Sequence, residues 1–332
     1  MIGKNINIRL AFWGETSSLK GGPGLFTILC GIVVGLMLTS RLAHAKPLDE
    51  LLQLLPGGGT VAMGVDFREL RKSTHFAAAV GLLADMDDVG AFRMGSSGPL
   101  SPDNVDEMAV VVLTNGQPVV AIRGEKLDPD VVTGHYRGVL GSKFKDSKSG
   151  GRHVFTVEPN IDAFFADAKT VVVGRPKELA EAVAVSNKQK KSLLGAGSLK
   201  GRIKKAKRSE PFWITGELSA KNRKQLKKRS AGALADIVGF TGHASLSTGF
   251  DFLLKTDCAS EEGSNTLSRF VGTRLDGLRE KTALRLLGIG AYLDKIQVES
   301  KGKTVELVVK LAETQVNTLM IVGPQVYRAI RN

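Results

Sequence analysis

Asn115-Gly116 lies between two valine-rich runs, Met108 to Thr114 and Gln117 to Arg123. A two-residue Asn-Gly connection takes positive φ at both central positions, so the pair predicts a tight antiparallel hairpin. That hairpin sets the frame for its neighbours. Upstream, Thr60 to Asp66 reads as a strand after the turn Pro56-Gly-Gly-Gly59, and a helix follows from Phe67 to about Leu83. Downstream, Asp128-Pro129 opens a helix of about 12 residues. His153 to Val157 and Lys169 to Val173 read as two more strands, and Pro176 starts a helix that reaches Val185.

The second half runs in the same order. Phe212 to Glu217 reads as a strand, and Ser219 to Val238 as a helix with Leu226, Leu234, Ile237 and Val238 on its buried stripe. Ala244 to Ser247 and Phe250 to Thr256 form a second hairpin across Thr248-Gly249. Ser260 caps a further helix. Lys295 to Glu299 pairs with Thr304 to Leu311, and Thr314 opens a last helix. The expected fold class is therefore α+β. It consists of two related β-α-β-β-α-β-β-α units with a period of about 150 residues, mainly antiparallel sheets, and helices packed on one face. The units are 46–187 and 211–332, joined by a basic Gly/Lys-rich linker at 188–210.

The first 45 residues read as an export signal. Lys4, Arg9 and Lys20 precede the uncharged run 21–40, and Ala43-His44-Ala45 supplies a small-x-small cleavage site at Ala43 and Ala45. The alternative is a retained signal anchor at 21–40, in the inner membrane. Gly24 to Ser40 as a helix would span roughly 25 Å, short against a bilayer core of about 30 Å. Either way the remaining chain is expected outside the cytoplasm, in the periplasm or beyond. Cleavage leaves Cys258 alone, so an intrachain disulfide scaffold is excluded.

The formal charge is +13, from 46 Lys and Arg against 33 Asp and Glu. Lys188 to Arg229 holds 15 of the cations with only Glu210 and Glu217 among them, which leaves 31 charges of each sign elsewhere. The chain is thus a neutral protein carrying one basic stretch. Lys200, Arg202, Lys204, Lys205, Lys207, Arg208, Lys221, Arg223, Lys224, Lys227, Lys228 and Arg229 are the candidate anion-binding residues. Cations in the first turn of a helix oppose its dipole, and Arg223 with Lys227 and Lys224 with Lys228 are repulsive i,i+4 pairs. Breaking local rules in this way marks a candidate functional site. The expected partners are an anionic membrane surface, lipopolysaccharide or an acidic polymer. Nucleic acid is disfavoured by export and by the lack of interleaved aromatics. A protein partner at a hairpin edge, through Asn115-Gly116 or Val305 to Val309, is a further expectation.

No chemistry-bearing motif stands out. His75, His135, His153 and His243 show no metal-ligand spacing, and no phosphate loop or Gly-x-Ser-x-Gly elbow occurs. Gly288-Ile-Gly290 follows a helix, so it does not read as a dinucleotide turn. Asp85-Met-Asp87-Asp88 lacks the rest of a calcium loop. Asp103, Asp106 and Glu107 read as loop or capping groups. No catalytic residue, metal or cofactor is expected. The alternative function is an exported hydrolase of envelope polymer with residues gathered from separate strands. The opening Leu51-Leu-Gln-Leu-Leu-Pro56-Gly-Gly-Gly-Thr-Val-Ala-Met-Gly-Val-Asp66, behind a leader and before a duplicated α+β unit, resembles exported Gram-negative proteins without an assigned function. The resemblance implies an envelope location and supplies no catalytic residues.

Overall fold

A computed structural model describes residues 48–73, 76, 98–230, 232–245, 249–282, 285 and 288–319. The expected leader with Ala43 and Ala45, His75, the acids at 85–88 and most of the helix expected at 67–83 lie outside these residues. The described chain runs α1 (Leu48–Leu54), β1 (Gly59–Asp66), α2 (Phe67–Arg71), β2 (Glu107–Leu113), β3 (Pro118–Arg123), α3 (Pro129–Leu140), β4 (Asp146–Ser149), β5 (Arg152–Glu158), β6 (Ile161–Asp167), β7 (Thr170–Gly174) and α4 (Pro176–Ser186). It continues α5 (Leu199–Lys205), β8 (Phe212–Glu217), α6 (Ala220–Arg229), β9 (Ile237–Ser245), β10 (Gly249–Cys258), α7 (Glu261–Arg279), α8 (Gly290–Leu293), β11 (Ile296–Lys301) and β12 (Thr304–Ala312). Residues 313–319 are again helical.

All twelve strands form one antiparallel sheet, ordered β11-β12-β10-β9-β8-β1-β2-β3-β7-β6-β5-β4. The halves meet where β1 pairs with β8, Val61 opposite Gly216 and Val65 opposite Phe212. This corrects the expectation of separate sheets. One sheet is shared, and the first half gives it seven strands against five from the second. β4 and β6 are the two strands not foreseen. The helices also lie on both faces. One face buries Met63, Val65, Phe155, Phe212 and Phe252 together with Phe67 of α2, Val132 of α3 and Val316. The other buries Ala62, Val111, Phe164 and Trp213 beneath Leu51 of α1, Leu179 of α4 and Ile203 of α5. Where strands are buried on both faces, as in β2, they read as solid apolar runs rather than alternating ones. In the second half, α7 covers the first of these faces through Leu267 and Val271 against Val305 and Val298.

The β2–β3 hairpin forms, but not with a two-residue turn. Of the two central residues only Gly116 has positive φ, at 83°. The loop is closed by Gly116 N donating to Leu113 O at 2.8 Å and Leu113 N donating to Gln117 O at 2.9 Å. Asn115 is engaged otherwise: its Nδ2 donates to buried Glu178 at the start of α4, at 2.8 Å. The hairpin tip is thereby fixed to the next helix. β2, β3 and β12 are interior strands, so neither segment expected to offer a free edge does so. The edges are β4 and β11.

Caps follow the sequence closely. Asp66, Asp128 and Ser260 each accept backbone N–H bonds at the starts of α2, α3 and α7. The last is reinforced, because the Ser260 hydroxyl donates to Asp236 at 2.7 Å while accepting from Gly263 N at 3.0 Å. A β-carbon at Gly263 would collide with the Asp236 carboxylate. Gly263→Ala should therefore cost about 1–2 kcal/mol, read as a lower urea midpoint at unchanged slope. An unchanged midpoint would show that the cap does not hold α7 in place.

Candidate anion-binding surface

The stretch expected as an exposed linker at 188–210 is part of the fold. Leu193, Leu199 and Ile203 are fully buried and Ala206 nearly so. Leu193 N donates to Leu55 O at 2.7 Å. At 100° per residue, Leu199, Ile203 and Ala206 make one stripe of α5, laid over Trp213 and the β1–β8 junction. Lys204 and Lys205 are thereby turned outward and exposed, and Lys200 is half-buried on the flank.

The arginines of this stretch turn inward. Arg202 lies over Gly239, where any β-carbon would strike its guanidinium, and its Nη1 donates to Asp257 at 2.6 Å. Arg208 pairs with Asp49 of α1. Burial works against the Arg208 charge, and the carboxylate of Asp49 opposes that loss. Lys207 is exposed and pairs with Glu210 at 2.5 Å. Of the six cations from Lys200 to Arg208, two arginines therefore hold the fold, and Lys200, Lys204 and Lys205 have no ion-pair partner among the described residues.

α6 is different. It connects β8 to its neighbour β9, a link that an antiparallel pair can make with a two-residue turn. The chain instead spends 218–236 on it. Ser219 accepts from Asn222 N at 3.2 Å and starts the helix. The helix ends at Arg229, not near Val238, because Ser230 closes it: its hydroxyl donates to Leu226 O at 2.7 Å and accepts from Leu234 N at 2.9 Å. Ile237 and Val238 belong to β9, so the expected buried stripe does not exist. No residue from Ala220 to Lys228 is buried. Asn222, Arg223 and Leu226 are half-buried, while Lys221, Lys224, Lys227 and Lys228 are exposed. At 3.6 residues per turn those four lysines fall within about 120° of the circumference and about 10 Å of axis. α6 contains no acid, and no ion pair to these lysines occurs among the described residues.

The structure thus places ten of the twelve cations on two helices, with Lys207 and Arg208 just beyond the end of α5. α6 begins just after Glu217, whose register partner Gly239 lies under Arg202.

One charged cluster was not anticipated. Glu107 is the first residue of β2, not a loop group, and is 1% exposed. It pairs with Arg68 and lies 3.8 Å from Arg123, which also meets Glu50 of α1 at 2.7 Å. Burial raises the Glu107 carboxyl above its ordinary range despite both arginines. The only hint in sequence is that Asp66 and Arg123 each end an expected strand and Glu107 immediately precedes one; the three are successive register partners. Other reactive groups are not assembled for chemistry. Cys258 is buried and its thiol is pushed up to about 11 by burial. Burial and Lys207 lower His243. His153 is exposed, 3.5 Å from Asp146. No cluster of three or more metal-ligating side chains occurs among the described residues.

No family model matches the chain, and no curated protein matches it. Among solved structures, crystal form I of TP0453 is similar over 86% of this chain and 98% of its own. The TM-score is 0.47 at 8% identity, a likeness too weak to carry function.

Proposed function

We propose that this is an exported envelope protein of the non-enzymatic, binding type, which docks on an anionic surface through the lysines of α6, assisted by those of α5. The observation that carries the reading is the β8–β9 connection. A link that needs two residues is built instead as a helix in which no residue from Ala220 to Lys228 is fully buried, which carries no acid and gathers four lysines on one arc. Stability does not account for that helix, since its like-charged neighbours repel. The location outside the cytoplasm rests on the leader at 1–45. No helix among the described residues is long and apolar enough to cross a membrane. The scaffold is read as two descendants of one β-α-β-β-α-β-β-α unit. In support, β7 returns beside β3 and β12 beside β10, each after a helical crossing.

Each lysine near an anionic surface contributes about 1 kcal/mol, so four give about 4 kcal/mol before α5 adds its share. Lys224→Gln/Lys228→Gln removes two exposed charges that form no ion pair among the described residues. Its melting should match the parent, and its affinity for vesicles containing anionic lipid should fall roughly thirtyfold in cosedimentation. Binding equal to the parent's on every anionic probe would refute the proposal.

A further inference from the structure

We infer that the α6 surface reads charge density through lysine alone, and that its occupant is the fluid headgroup layer of an anionic phospholipid bilayer. The inference rests on the anion-binding reading and names its partner. Its own observation is a division of labour within the basic stretch. Arg202, Arg208 and Arg223 are half-buried, the first two in ion pairs with Asp257 and Asp49. Lys204, Lys205, Lys207, Lys221, Lys224, Lys227 and Lys228 are all exposed.

The two side chains bind anions differently. A guanidinium is a planar fork that matches one phosphate or carboxylate held at a fixed place. An ammonium on four methylenes is a mobile point charge that needs no such match. A lysine-only face therefore suits a layer whose anions move laterally to meet it. The shape agrees. The lysines project from the convex side of a helix, so they do not converge on one anion. Within their arc lie only Ala220 and lysines, with no aromatic or large aliphatic side chain to enter the acyl region. Binding through this face is consequently peripheral and electrostatic, and steeply dependent on salt.

The test uses the chain as its host leaves it, compared throughout with Lys224→Gln/Lys228→Gln so that binding through any other part cancels. The probes are phosphatidylcholine vesicles with graded phosphatidylglycerol, the same vesicles with cardiolipin at matched charge, and lipid-free acidic polysaccharide. The lysine-dependent part should rise steeply with phosphatidylglycerol and follow the same curve for cardiolipin. It should weaken about tenfold or more between roughly 50 and 200 mM salt. Replacing all four α6 lysines with arginine should leave it within about threefold. A preference beyond about tenfold for one headgroup at equal charge, or lysine-dependent binding to the polysaccharide with none to the vesicles, would overturn the inference while leaving anion binding intact. Loss of any difference between parent and double variant on all probes would instead remove the anion-binding reading itself.

Discussion

Trp213→Ala should cost about 3–5 kcal/mol of folding free energy. Trp213 is 0% exposed and sits on β8, the strand through which the second half of the sheet joins β1 of the first. Its indole lies over Gly64 of β1, where a β-carbon would collide with it, and against Leu48 of α1. Ile203 and Leu199 of α5 belong to the same buried cluster. Alanine would leave a large cavity between β1, β8, α1 and α5, and close packing on three sides limits its collapse. The loss should appear in equilibrium denaturation as a lower midpoint with one transition at unchanged slope, because the same side chain touches both halves. A cost under about 1.5 kcal/mol would mean that the site relaxes freely. A split into two transitions would mean that the halves unfold separately and that the shared sheet does not couple them.

How far the sequence reveals this depends on whether a signal is local. Strands β2, β3, β5, β7, β8, β10 and β12 and the starts of α3, α4 and α7 are legible because alternation, proline at the first turn and capping residues act within a few positions. β6 is not. Its Phe164 faces one core while Phe165 packs against the other, and Asp162 and Asp167 frame them, so neither alternation nor a clean apolar run appears. α5 is hidden for the opposite reason: Leu199, Ile203 and Ala206 are correctly spaced for a buried stripe, but lysine and glycine around them read as linker. The end of α6 depends on the Ser230 hydroxyl, a single capping contact that outweighs the apparent continuation of periodicity to Val238. For the basic surface, the sequence identifies the cations but not which of them are engaged. Arg208 finds Asp49 and Arg202 finds Asp257 across long stretches of chain, and only the folded topology makes those pairs.

Arg123→Ala should be as costly as the loss of Trp213 near neutral pH, about 3–5 kcal/mol, because it strips a partner from a buried charge. Glu107 is enclosed on the α1 face, with Asp66 and Asp106 adding repulsion while Arg68 and Arg123 oppose it. Arg123 also donates to Thr170 at 3.3 Å and meets Glu50. The sign of the pH dependence follows from the raised Glu107 value. The fold holds the proton more tightly than the unfolded chain does, so the contribution of Glu107 is fully present below the ordinary carboxyl value of 4.5 and is lost as pH rises from there through the raised value. Removing Arg123 raises that carboxyl further and widens the window of loss. The variant should therefore fall furthest behind the parent at about pH 8 and recover part of the difference as pH is lowered towards about 5. Adding Glu107→Gln should restore part of the stability at about pH 8 and flatten the pH profile, since glutamine keeps the shape without the charge. Denaturant titrations of the three proteins across this range decide the matter. An equal deficit at both ends, with no rescue by glutamine, would mean that Arg123 acts through its contacts with Glu50 and Thr170 and that Glu107 is not the buried charge that makes it necessary.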